Sequence, residues 1–298
     1  MAGNPGKSTF ARQNCRMIYL LSAILTSTLI ILGFKVFEKL RIDTVTAITT
    51  NYLIASGLGF WLAGEQVNVS TLPFESWFPL SMISGVLLIA TFYVYASSAQ
   101  KSGIAITAVS GKMSVVIPVL LGFIWYNEDA SWTKIAGIIL AMLAFWLTFR
   151  KKNEKKERII WLLPLLLFLG NGMNDSVFKI AEEDHLQDDF IYFLATAFAA
   201  SLILGLIVLF IRNIRTRMTF SWKSIVAGVV LGIVNWYSTY FFLQGLHHFD
   251  VSLFVPVFNV SIVLGGALGG YLLFREKLRP VNWIGILLAI GAITLMAF

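Results

Sequence analysis

SGIAITAVSGKMSVVIPVLLGFIWYNEDASWTKIAGIILA, Ser102 to Ala141, and DVSLFVPVFNVSIVLGGALGGYLLFREKLRPVNWIGILLA, Asp250 to Ala289, follow one pattern. At a constant offset of 148, Gly122 meets Gly270, Glu128 meets Glu276, Gly137 meets Gly285 and Ala141 meets Ala289. Each copy is an apolar run, a short turn with one glutamate, and a second apolar run. A weaker echo lies upstream, where RMIYLL at Arg16 resembles RIIWLL at Arg158 and FKV at Phe34 resembles FKI at Phe178. The chain therefore divides into an N-terminal tail (1–16), a first half (17–149), a basic linker (150–158) and a second half (159–298).

The composition says what medium these runs are made for. Of 298 residues, 57% are hydrophobic and only 13% charged, with a mean hydropathy of +0.78, too apolar for a soluble domain of this length. A helix needs about 20 apolar residues to cross a hydrocarbon core of roughly 30 Å. Ten segments meet that length, at 17–37, 45–64, 77–98, 103–126, 132–149, 159–180, 189–212, 222–244, 251–274 and 281–298. The expected fold is thus an all-α membrane protein of ten transmembrane helices in two five-helix repeats. An odd number of spans per repeat sends the second copy into the membrane upside down, the inverted plan of secondary transporters.

The first span runs on from Met17 without a small-residue cleavage site and reads as a retained helix. A lone Cys15 excludes an intramolecular disulfide framework. The net charge of +7 sits in loops, which fits orientation in a membrane and not nucleic-acid binding. With ten spans, the side carrying the N-terminus (side A) holds five Lys and Arg, and the opposite side (side B) holds seventeen. The excess places side B in the cytoplasm and both termini outside, although Lys7, Arg12 and Arg16 pull the other way.

The two half-ends, YNEDASWTKIAGIILA and FREKLRPVNWIGILLA, resemble those of the EamA-like branch of the drug/metabolite transporter superfamily. There each five-span half closes with a helix, a short acidic turn and a Gly-rich final helix. The resemblance implies a ten-helix basket holding its solute centrally, in a bacterial plasma (inner) membrane. It names no single substrate, since relatives carry amino acids, sugars, nucleotide derivatives and other metabolites.

Polar groups inside the spans are the candidate site residues. Lys112 lies close to the middle of the fourth span, where an ammonium costs roughly 2.5–3.5 kcal/mol by insertion scales. Either it faces a central cavity and binds an anionic group, or it is a fixed ion pair or a lysine neutralised by burial. Its repeat mate is Val260, so the symmetry of the fold does not demand the charge. In the sixth span Asn171, Asn174 and Asp175 share one helical face. Asp175 either neutralises Lys112 or takes a coupling proton, or it pairs with Lys179 four residues on.

The eighth span carries Asn235, Trp236, Tyr237, Ser238, Thr239 and Tyr240, which suit an organic metabolite or simple helix packing equally. Tyr93 and Tyr95 hold comparable places in the third span. In the ninth, Asn259 aligns with Gly111, beside Lys112, while Gly265, Gly266, Gly269 and Gly270 mark a close-packing face. Pro118 and Pro256 are placed to free backbone carbonyls nearby.

These features point to a carrier of an amino-acid-like, anionic or zwitterionic small molecule, working by alternating access in a lipid bilayer, with a proton as candidate coupling ion. No complete Gly-x-x-x-x-Gly-Lys-Ser/Thr phosphate loop occurs, Gly6-Lys7-Ser8 lacking the leading glycine, so direct ATP drive is not expected, and neither is a cofactor or metal. The rivals are a channel or receptor, and a membrane enzyme acting on a lipid headgroup through a metal at EEDHLQDD, Glu182 to Asp189, which contains His185 and Asp188. That loop matches no defined metal motif, and NVS at Asn68 is a weak glycosylation match.

Overall fold

A bilayer cannot hydrogen-bond the backbone, so each apolar run must satisfy its own amides, and it does so as helix. The computed structural model describes residues 5–64, 70–128, 131–149, 158–186, 189–216, 221–249 and 251–297. Its helices are α1 (Pro5–Lys39), α2 (Thr44–Ala63), α3 (Phe78–Lys101), α4 (Ile104–Met113), α5 (Val116–Trp125) and α6 (Trp132–Phe149). The rest are α7 (Arg158–Asp184), α8 (Phe190–Thr216), α9 (Trp222–His248), α10 (Val251–Phe274) and α11 (Pro280–Ala297). Among the described residues, seven segments are long and apolar enough to cross a membrane: Met17–Lys39, Thr44–Ala63, Phe78–Lys101, Ile104–Trp125, Phe190–Arg215, Trp222–Leu246 and Leu253–Phe274. Trp132–Thr148 and Pro280–Met296 are apolar but shorter, and α7 has 27 residues with polar groups along it.

The stretch expected as one helix over 103–126 is broken in its middle. Pro118 has no N–H to give the carbonyl of Ser114, and that carbonyl turns instead to the N–H of Ile117 at 2.9 Å. The Ser114 hydroxyl donates back to the Gly111 carbonyl at 2.7 Å, which tightens the bend. The chain thus leaves α4 at Met113 and restarts as α5 at Val116, with Lys112 in the last turn of α4. Pro256, in contrast, is absorbed within a continuous α10.

Small residues decide which helices touch. The seam between α6 and α11 runs through Gly137 and Gly285: a Cβ on Gly285 would lie 2.3 Å from the Thr148 hydroxyl, and one on Gly137 2.6 Å from Met296. At Gly228 and Gly232, α9 meets the α2 backbone, where an added Cβ would come within 2.6 and 2.7 Å of the Ala47 and Asn51 carbonyls. Gly265 and Gly269 admit Thr28 and Leu32 of α1, while Gly266 seats Ala108 of α4, so the glycine face of the ninth span is a packing face. The pairs recur across the halves: α1 packs on α9 as α7 packs on α3, and α2 packs on α9 as α8 packs on α3.

The end of α8 is tied to the start of α2 by charge. Asp43 caps α2, accepting from the Thr46 N–H at 3.1 Å and the Thr46 hydroxyl at 2.6 Å, and takes Arg212 Nη1 at 2.6 Å.

Candidate functional site

Where α4 breaks, polar groups from three helices converge. Lys112 occupies the carbonyl end of α4, where the helix dipole favours a cation. Its Nζ stands 4.9 Å from the centre of the Phe258 ring of α10. Antiparallel packing of α10 on α4, seen again where Gly266 meets Ala108, brings this ring opposite the lysine. Phe258 escaped the sequence reading because an isolated Phe in an apolar run carries no signal of what it faces.

Across from Lys112, α7 supplies Asp175. The two are each other's electrostatic partner, yet they do not close to a direct ion pair. Asp175 lies deep among the helices and still has open side-chain surface, and Lys112 is only half-buried. A deep residue with open surface fronts a cavity. The pairing of Asp175 with Lys179 on their own helix is not formed, because Lys179 reaches out to Glu128 beyond the end of α5.

Asn171, one turn before Asp175, donates its amide to the Gly111 carbonyl at 3.3 Å and so takes up a carbonyl at the break. Gly111 is closely hemmed: a Cβ there would meet Asn171 at 3.1 Å and the Tyr95 ring at 3.2 Å. Tyr95 therefore borders the Lys112 region. Asn174 is buried and accepts from the Ser84 hydroxyl at 2.8 Å, tying α7 to α3.

The other sequence candidates are spread more widely. Tyr93 belongs to the packed cluster of Tyr52, Phe92 and Phe198, and Trp236 joins the same cluster, its ring 6.3 Å from Phe198. Tyr237 is exposed and stacks on Phe241 at 5.8 Å. Asn235 and Asn259 are buried. Asn235 Nδ2, Trp236 Nε1 and both amide atoms of Asn51 have no hydrogen-bond partner among the described residues. Asn51 was not singled out from sequence, since a lone Asn in TTNYLIASG reads as incidental.

His185 is exposed just beyond α7, His248 sits edge-on to Tyr19 at 5.1 Å, and Asp188 lies outside the described residues, as does Asn68. Among the described residues, no group of three His, Cys, Asp or Glu side chains could hold a metal ion.

Comparison with known proteins adds independent findings. The sequence profile of the EamA-like transporter family matches residues 16–150 and again residues 159–298. A protein of Haemophilus influenzae, described as uncharacterized, is 26% identical over 285 residues, covering 92% of this chain and 95% of the relative. A crystal structure at 16% identity shares the fold with a TM-score of 0.60, covering 95% of this chain and 97% of the other.

Proposed function

Because the chain belongs to the EamA-like transporter family, we propose that it is a secondary transporter of a zwitterionic, amino-acid-like metabolite, held between Lys112 and Asp175. The observation that carries this reading is a half-buried lysine and an aspartate deep among the helices, both with open side-chain surface, that are each other's electrostatic partner without joining. Two separated opposite charges in a low dielectric are costly unless something polar bridges them. A carboxylate at Lys112 and an ammonium at Asp175 would complete both, and an anion would answer Lys112 alone. Phe258 and Tyr95 supply apolar walls, and Asn171 holds the break in α4 open to the site.

Taking α4 and α5 as one span gives ten spans, five in each of the halves 17–149 and 159–298. The recurrence of α1·α9 as α7·α3, and of α2·α9 as α8·α3, supports reading these halves as inverted repeats that rock about a central site. The Lys and Arg excess puts side B in the cytoplasm of a bacterial cell, with the protein in its plasma membrane.

A thermal-shift screen of the purified protein against amino acids, organic acids, sugars, nucleosides and phosphorylated metabolites tests the site, since a binder stabilises the folded state by mass action. Zwitterions are expected to raise the melting temperature of the wild type, and both Lys112→Ala and Asp175→Asn should weaken that response by tenfold or more in concentration, roughly one charge-assisted contact. Hits confined to neutral solutes, or hits that survive both substitutions, would sink the reading.

A further inference from the structure

The two glutamates of the repeat sit in matching backbone settings. Asn127 and Arg275 take left-handed φ values of 50° and 54°, and the next residue's N–H returns to a glycine carbonyl, Glu128 to Gly122 at 3.1 Å and Glu276 to Gly270 at 2.9 Å. Each carboxylate folds over its own glycine: a Cβ on Gly122 or Gly270 would lie 2.6 or 2.7 Å from the glutamate Oε2. Up to this point the two ends of the molecule are copies.

Their distant partners differ. On side B, Glu276 accepts the N–H of Ile104 at 2.9 Å through Oε1 and 3.0 Å through Oε2, capping the start of α4 in the other half. Gly103, at φ 107°, gives the chain the turn that presents this amide. On side A, Glu128 is ion-paired with Lys179 of α7, also in the other half. The repeat supplies the missing counterpart in each case. Ile104 corresponds to Ser252, in the first turn of α10, and Lys179 corresponds through FKI and FKV to Lys35 of α1. Lys35 lines the same side-B cavity as Glu276, a space of about 220 Å³, and there donates to the Gln100 carbonyl at 2.8 Å and pairs with Glu38 at 2.7 Å.

The ends also differ in closure. On side B, α10 lies on α4, Gln100 donates to the Phe34 carbonyl at 3.1 Å, and α1, α3, α4 and α10 meet. Towards side A, α5 packs on α7, and among the described residues it makes no comparable packing with α10, so that end is the open one.

We infer that Glu128 and Glu276 are reciprocal latches: each alternates between the N-terminus of the crossing helix (α10 or α4) and a lysine of the other half (Lys179 or Lys35), so that one end closes as the other is released. The structure holds one glutamate in each setting. In the opposite state Glu276 leaves Ile104 for Lys35, and Glu128 leaves Lys179 for the first amides of α10. A carboxylate at the N-terminus of the crossing helix ties the halves together, whereas beside a partly solvated ammonium it is held more weakly, and each state has one glutamate in each setting. The exchange therefore leaves neither carboxylate bare near the membrane, and the two states, each with one capped and one paired glutamate, stay close in free energy. This latch rests on the alternating-access reading above.

Spin-label distances in the full chain, with Cys15 replaced by Ser, test it. One label pair spans side A, at Trp125 and Leu253, and one spans side B, at Lys101 and Lys277; all four positions are exposed. Glu276→Gln, or Glu276→Ala should the glutamine still hold Ile104, is expected to raise the population with a long side-B and a short side-A distance by roughly tenfold. Glu128→Gln alone should keep the resting distances, and added to the Glu276 variant it should draw the population back. A side-B distance that neither Glu276 variant lengthens overturns the latch alone. A side B that opens while side A stays open uncouples the two ends, and overturns the alternating-access reading with it.

Discussion

Asp43 shows how much one side chain settles at the membrane boundary. Burial pushes its carboxyl up, but the hydrogen bonds from Thr46 and from Arg212, together with the Arg212 charge, outweigh that and hold it below its ordinary value of 3.8. A group whose pKa is depressed by folding stabilises the fold above its unfolded pKa, and that contribution is lost as the pH falls through the folded value. Asp43→Asn should therefore cost on the order of 1–2 kcal/mol at neutral pH, the worth of a charged cap. Melting curves of the two proteins are expected to differ at pH 6 and to converge below pH ~3. A difference independent of pH would mean that Asp43 acts through shape alone.

At the scale of elements, the residues that align best between the halves are those on which the halves touch. Gly137 and Gly285 correspond in the repeat and lie in one seam, where α6 meets α11. In lipid no hydrophobic effect drives helices together, so close approach of backbones carries the association. Gly285→Ala would set a methyl 2.3 Å from the Thr148 hydroxyl and 2.9 Å from its backbone nitrogen. The expected penalty is about 1–3 kcal/mol, read as a lower melting temperature. Gly33→Ala, with nothing within 4 Å of its added Cβ, serves as the control and should melt with the wild type or above it.

For the whole molecule, orientation is the property most exposed to test. Positive charge gathered on one side predicts that a cysteine replacing Lys277 reacts with a maleimide only after the cell is permeabilised. One replacing Ser131, on side A, should react in intact cells. The reverse pattern would turn the molecule over and would put the 220 Å³ cavity beside Lys35 and Glu276 outside the cell.

The sequence by itself determined that the chain is a helical membrane protein in two related halves, and which family it belongs to. Apolar runs of bilayer length are helix in lipid, and the Gly122/Glu128 and Gly270/Glu276 ends share their glycines and glutamate at one constant offset. It also brought out Lys112, Asp175 and Asn171, since a charge or amide in such a run is too costly to be accidental. Tertiary structure decided the rest, because helical spacing fixes which residues share a face but not what that face meets. Only packing sent Lys179 to Glu128 instead of Asp175, set Phe258 over Lys112, turned Tyr95 towards Gly111 while Tyr93 joined the core, and gave two equivalent glutamates different partners.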